Sequence, residues 1–248
     1  FITKGLNSNN MKINKEVEEL LKGKKFNNGF KFHLSKSTKQ LDRDSVIIDR
    51  CKGKKVLHLG FLDHIPLIEK KIKENRWLHS KLVEKSSICI GVDIDKHGIN
   101  MVRDKFNIDN LYCVDIQNEK LPKQVSKENF DVLLISDVIE HIGDPLTFLI
   151  DIKKIFNGKV SSIILTTPNA FRIENFMNAL RNKEIINTDH KFWFSQYTLS
   201  KLAVDAGYKI VRVGMCQHLL GGYTKILKNF FLRFFPNLKQ TLVLELEF

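Results

Sequence analysis

The stretch that decides the fold is FDVLLISDVIEHIGDP, residues 130–145. An apolar run from Val132 to Ile135, closed by Ser136, has the length and composition of a strand buried on both faces, as in a parallel sheet. Three ionisable groups follow at once, Asp137, Glu140 and His141. Asp144-Pro145 then sets an N-cap acid before a first-turn proline, so a helix is expected over 145–156.

The same alternation extends outward in both directions. Short apolar, β-branched runs predict strands at Val56 to Leu59, Ile88 to Ile94, Leu111 to Val114, Asp131 to Ser136, Ser161 to Thr166, Ile210 to Gly214 and Thr241 to Glu247. Between them, amphipathic spacing predicts helices at 12–22, 67–86, 97–106, 145–156, 171–182 and 196–206. Strands alternating with helices make an α/β protein with a seven-stranded, mostly parallel sheet and helices on both faces. Such a sheet binds its ligand at the carboxyl ends of the strands.

The chain has 248 residues, 43% of them hydrophobic and 27% charged, which excludes a disordered or repetitive protein. Cys51, Cys89, Cys113 and Cys216 are widely spread and lack zinc spacing, as expected of a reduced, intracellular protein. No run approaches the length of a membrane span, so a cytoplasmic location without a transmembrane segment is the expectation. The formal net charge is +12, and residues 1–55 hold 14 Lys and Arg against 6 Asp and Glu. This basic stretch is expected to be a solvated N-terminal helical extension over 1–53, with the α/β domain occupying 54–248. A second basic segment, YTKILKNFFLRFF at 223–235, reads as a helix with an aromatic face. Packing in the core or in a homodimer is the expectation for it, although a peripheral membrane helix looks the same.

Four consecutive strand ends carry polar cargo. The first, VLHLGFLDH, places Gly60 where the chain turns tightly. The second, GVDID, offers Asp93 as a carboxylate for a ribose diol. The third, YCVDI, offers Asp115 with Ile116 as an apolar neighbour. The fourth delivers Asp137, Glu140 and His141, and the fifth ends TTPNA.

With these strings and DHKFWFS at 189–195, the chain resembles the class I S-adenosylmethionine-dependent methyltransferases from about Lys54 to Val213, and most nearly those of capsule and lipopolysaccharide biosynthesis clusters. The resemblance implies a Rossmann-like fold, S-adenosylmethionine as cofactor and S-adenosylhomocysteine as product. It assigns Gly60 to the cofactor turn, Asp93 and Ile94 to the ribose, Asp115 and Ile116 to the adenine, and Ser136 and Asp137 to the methionine side. One departure matters: Leu62 and His64 replace the second and third glycines of the usual turn, and His58 replaces the usual acid before it. The methionine end is therefore expected to lean on other groups, among them Asp63 and Asp137.

Methyl transfer is an in-line displacement in which the protein chiefly positions the acceptor and excludes water. A hydroxyl acceptor gains from a base, and His141 is the first candidate, with Glu140 beside it and His190 as the second. The expected activity is O-methylation of a small molecule or surface-polysaccharide precursor, at a sugar hydroxyl or a phosphate-like oxygen. The acceptor is expected to be nucleotide-linked or phosphorylated, with no metal and no nucleic-acid partner. An alternative groups Asp137, Glu140, His141 and His190 as ligands for Mg²⁺ or Mn²⁺, because a similar set occurs in the metal-dependent methyltransferases of the 3′-terminal ribose of small RNAs. A further alternative is a non-catalytic scaffold with a degenerate cofactor loop.

Overall fold

The computed structural model describes residue 13 and residues 15–32, 42–218 and 223–248. Much of the basic N-terminal stretch lies outside the described residues. The helices are α1 (Lys15–Leu21), α2 (Arg43–Cys51), α3 (Ile65–Lys73), α4 (Leu78–Lys85), α5 (Lys96–Phe106), α6 (Lys123–Ser126), α7 (Pro145–Phe156), α8 (Ile173–Ala179), α9 (Gln196–Asp205) and α10 (Tyr223–Phe234). The strands are β1 (Lys55–Leu59), β2 (Ile88–Asp93), β3 (Leu111–Cys113), β4 (Phe130–Ser136), β5 (Val160–Pro168), β6 (Lys209–Cys216) and β7 (Thr241–Glu247).

They form one seven-stranded sheet in the order β3-β2-β1-β4-β5-β7-β6. The first five strands in space are parallel, and β7 runs antiparallel between β5 and β6. The chain begins at β1 in the middle and winds out both ways. Strand order therefore reverses beside β1 and β4, and the carboxyl ends of those two strands frame the crevice.

Period-two alternation feeds two layers. On one face Leu57, Leu59, Leu133, Ile135, Ile163 and Leu165 pack against Phe148, Leu149, Ile152 and Leu199 of α7 and α9. On the other, Val56, Val132, Leu134 and Ile164 meet Ile47 and Cys51 of α2 and Leu78 and Leu82 of α4. The helix starts follow local chemistry. The Asp42, Asp95 and Asp144 carboxylates accept the backbone N–H of Ser45, Gly98 and Thr147, and Ser195 with Thr198 closes a capping box on α9.

Two expectations need correction. The helix expected at 67–86 is two helices, broken where Asn75 takes a left-handed conformation (φ 51°), so that Trp77 and His79 turn into the core. The second concerns residues 43–51, read as part of a solvated basic surface. They form α2, whose Ile47 and Cys51 are fully buried and whose first residue, Arg43, is itself buried. The expected boundary at 53/54 falls in the turn at Gly53, between α2 and β1.

Candidate functional site

A cleft of about 1470 Å³ runs along the carboxyl ends of β1, β2, β3 and β4. Single-ligand pockets span about 300–1,000 Å³, so the cleft has room for a donor and part of an acceptor. Gly60, Asp63, Asp93, Ile94, Asp115, Ile116, Ser136, Asp137, Glu140, His141 and His190 all line it.

At the first strand end, Gly60 has φ +69°, and a Cβ there would lie 2.1 Å from Val138 Cγ2. Only glycine lets β1 turn against the segment after β4. The bulky Leu62 does not fill the cleft. Its side chain packs beside Phe61, Ile68 and Trp77, and its N–H donates to Asp93 Oδ2 at 3.2 Å. Asp93 Oδ1 also accepts from Ile94 N and Asp95 N, so this carboxylate anchors the altered turn. Burial holds its pKa above the usual value, against the pull of those three N–H groups. A carboxylate offers about four acceptor positions, which leaves one free on Oδ2. Asp115 accepts from Gln117 N and Asn118 Nδ2 and likewise keeps lone pairs to spare. Ile94, 73% exposed, and Ile116, buried, follow the two carboxylates in sequence and line the same cleft. Two acceptors with two apolar side chains make a set that fits a ribose diol and a purine face.

His58, where the usual acid would stand, faces away from solvent. Its Nδ1 lies 3.2 Å from His79 Nδ1, so one imidazole donates and the other accepts, and burial pushes both rings below their ordinary pKa. Room for this pair comes from Gly91, the β2 residue opposite His58, where a Cβ would stand 3.0 Å from His79.

The end of β4 is the most constrained part of the site. Asp137 has φ +54° and is held there by Arg43, whose Nη2 donates to Asp137 Oδ2 and Ser136 Oγ, both at 2.6 Å. Thr166 Oγ1 donates to Asp137 Oδ1 at 3.0 Å. Sequence reasoning missed Arg43; an N-cap Asp42 before the apolar Val46-Ile47-Ile48 was the available signal. Asp63 is likewise engaged, by Lys71 Nζ at 2.6 Å. Neither of the carboxylates expected at the methionine side is therefore a bare anion. Lys71, Arg76 and Lys81 also line the cleft, each paired with an acid, Asp63, Glu74 and Asp44 in turn.

After Asp137 a 3₁₀ turn, Ile139–His141, presents Glu140 and His141. The backbone N–H groups of Lys191 and Phe192 donate to the Glu140 carbonyl, which brings His190 alongside. The His141 and His190 rings meet edge to face at 4.7 Å. His141 Nδ1 lies 3.1 Å from the Asp189 carbonyl, an acceptor only, so Nδ1 carries the proton and Nε2 keeps its lone pair. Glu140 is fully buried, and its Oε2 accepts from Thr167 Oγ1 at 2.9 Å. Burial, then repulsion from Asp137, raises its pKa to about 8. Its Oε1 has no partner among the described residues and lies 4.0 Å from His190 Nε2. Burial, then the neighbouring His141, lowers the His190 pKa.

Glu140, His141 and His190 thus offer ligand atoms within 4.8 Å of one another. Asp137, the fourth member of the set expected for a metal, is turned to Arg43 instead. The polar end of β5 is also structural, since buried Asn169 donates to the carbonyls of Asn237 and Lys239 and ties β5 to the turn before β7.

A family model described as a methyltransferase domain matches residues 73–213, more than half of the chain. No curated protein matches. Among solved structures the chain is similar to the small RNA methyltransferase HEN1, at 17% identity and TM-score 0.54, covering 83% of this chain and 24% of that one. It is similar to the methyltransferase domain of a bacterial Hen1, CtHen1-CN, at 18% identity and TM-score 0.51, covering 82% and 94%. It is also similar to an S-adenosylmethionine-dependent methyltransferase from Clostridium acetobutylicum, at 12% identity and TM-score 0.52, covering 82% and 89%. The chain spans about a quarter of HEN1, and at these identities the likeness is one of fold. The chain therefore belongs to the methyltransferase-domain family, and its fold is that of the S-adenosylmethionine-dependent enzymes.

Proposed function

We propose that the protein methylates an oxygen of a small-molecule acceptor, a sugar hydroxyl or phosphate-like oxygen of a surface-polysaccharide precursor. The observation that carries this reading is that the Asp93 and Asp115 carboxylates and the Glu140, His141 and His190 cluster line one cleft. S-adenosylmethionine, when bound, supplies an activated methyl group. The chain's own residues do the rest. Asp93 and Asp115 hold the nucleoside through charge-assisted hydrogen bonds. His141 Nε2, its tautomer fixed by the Asp189 carbonyl, takes the acceptor's proton. The enclosing walls keep water away from the transfer. The link to polysaccharide precursors rests on the sequence resemblance.

A second reading is favoured by one observation. Glu140 is buried with an unpartnered oxygen close to the His141 and His190 imidazoles, a ligand set suited to Mg²⁺ or Mn²⁺. Glu140, His141 and His190 would hold the ion, and it would supply a Lewis acid for the acceptor hydroxyl. Similarity in fold to a small RNA methyltransferase adds RNA as an acceptor, and the sequence resemblance points within it to the 3′-terminal ribose.

One experiment separates them: transfer of labelled methyl from S-adenosylmethionine to a panel of nucleotide sugars and to short RNA, with and without EDTA. Transfer to a sugar that survives EDTA supports the base-assisted reading. Transfer to RNA that stops with EDTA and returns with Mn²⁺ supports the second.

A further inference from the structure

Beside the acceptor end of the cleft, α8 and α10 leave an apolar face uncovered. None of the α8 residues is buried. Phe176 and Leu180 stand out from α8 and its end, while Phe230, Phe231, Phe234 and Phe235 stand out from α10 and the residue after it, each more than two-fifths exposed. The four phenylalanines are organised in two pairs, Phe230 edge-on to Phe234 and Phe231 stacked on Phe235 at 4.4 Å. The two helices share one surface. Glu174 of α8 pairs with Lys228 of α10, and both line a groove of about 490 Å³ together with Arg172 and Arg181. Gln240 lines this groove and the main cleft alike.

The groove between α8 and α10 carries three cations, Arg172, Arg181 and Lys228, against one acid, Glu174, which pairs with Lys228. Arg181 and Arg233 have no ion pair among the described residues. A twofold dimer through this patch would set cation against cation, so a second copy is a poor occupant. Exposed aromatics interleaved with cations match an anionic lipid interface, where rings enter the acyl boundary and basic side chains meet phosphates.

We propose that the α8–α10 face docks on an anionic membrane surface, with lipid phosphates at the Arg172–Arg181–Lys228 groove. No helix of the described residues is long and apolar enough to cross a membrane, so the contact is peripheral. Docking would open the cleft toward the bilayer, which favours an acceptor carried on a lipid. That last consequence rests on the methyltransferase reading of the cleft; the docking itself does not.

The test is co-sedimentation with vesicles of phosphatidylcholine alone and of phosphatidylcholine mixed equally with phosphatidylglycerol, in about 0.1 M salt, where screening begins within about 10 Å. Binding is expected to the mixed vesicles only. Phe230→Ser with Phe234→Ser should weaken it about tenfold or more, and Arg181→Gln with Arg233→Gln about tenfold. Circular dichroism and S-adenosylhomocysteine calorimetry on the same variants should match wild type, which separates docking from folding and from the cofactor reading. Equal binding to both vesicle types, no binding, or full binding by the phenylalanine variant overturns the proposal. So does a wild-type dimer that the phenylalanine variant splits, or RNA binding lost in that variant without any vesicle binding.

Discussion

Replacing Glu140 by glutamine tests the electrostatics of the site most sharply. The buried carboxyl of Glu140 titrates near 8 rather than at its ordinary 4.5, so the folded protein holds a proton there that the unfolded chain has released. A carboxyl raised in this way contributes its full stability below about pH 4.5 and loses it as pH rises toward 8. At about 1.4 kcal/mol per pH unit, the displacement sets an upper bound of about 5 kcal/mol. Part of it belongs to the interaction with Asp137, so a difference of about 2–4 kcal/mol is the expected size. Glutamine mimics the protonated side chain and keeps the hydrogen bond from Thr167. Urea denaturation with a chelator present should find Glu140→Gln and wild type within about 1 kcal/mol of each other at pH 5. At pH 8.5 the variant should be the more stable by about 2–4 kcal/mol. A difference that does not change with pH, or a wild type more stable at pH 8.5, refutes the reasoning.

Three further variants probe the other parts of the site. Arg43→Ala removes a buried guanidinium and its bonds to Ser136, Asp137 and Thr166, and since the Asp137 side chain is 38% exposed and can rehydrate, the cost in urea denaturation should be about 1–3 kcal/mol; a loss under about 0.5 kcal/mol would show that the Arg43 pair does not organise the end of β4. Asp93→Ala should weaken S-adenosylhomocysteine binding by about 1–3 kcal/mol and loosen the turn at Leu62, whereas Asp93→Asn keeps the shape and isolates the charge; unchanged affinity in both contradicts the ribose assignment. His141→Ala should lower turnover by about 10²–10⁴-fold with product affinity unchanged, and a wild-type rate across the neutral range would pass the proton to another group.

The sheet was legible because its strands are buried on both faces. Runs such as Val132 to Ile135 leave no other reading, and Thr241 to Glu247 is observed at the expected bounds. Strand ends then drew Asp93, Asp115 and Asp137 to one edge, since β topology fixes where strands finish. Connections between elements were harder. Asn75 breaks a helix through a single left-handed residue, a choice that spacing does not reveal. Arg43 reaches the cleft across 94 residues of sequence to pair with Asp137, and charge counting treats such a buried arginine like a solvated one. In the sequence, the departure at Leu62 reads as the loss of a turn glycine. In the structure its side chain packs into a satellite cluster, and Asp93 closes the backbone gap.

The most direct measurement is calorimetry of S-adenosylhomocysteine with the purified wild-type chain. One molecule per chain should bind with a dissociation constant in the micromolar range, and adenosine should compete. Flat heats at millimolar ligand would mean that the nucleoside end of this crevice holds nothing, and the account of the carboxylates at β2 and β3 would fail with it.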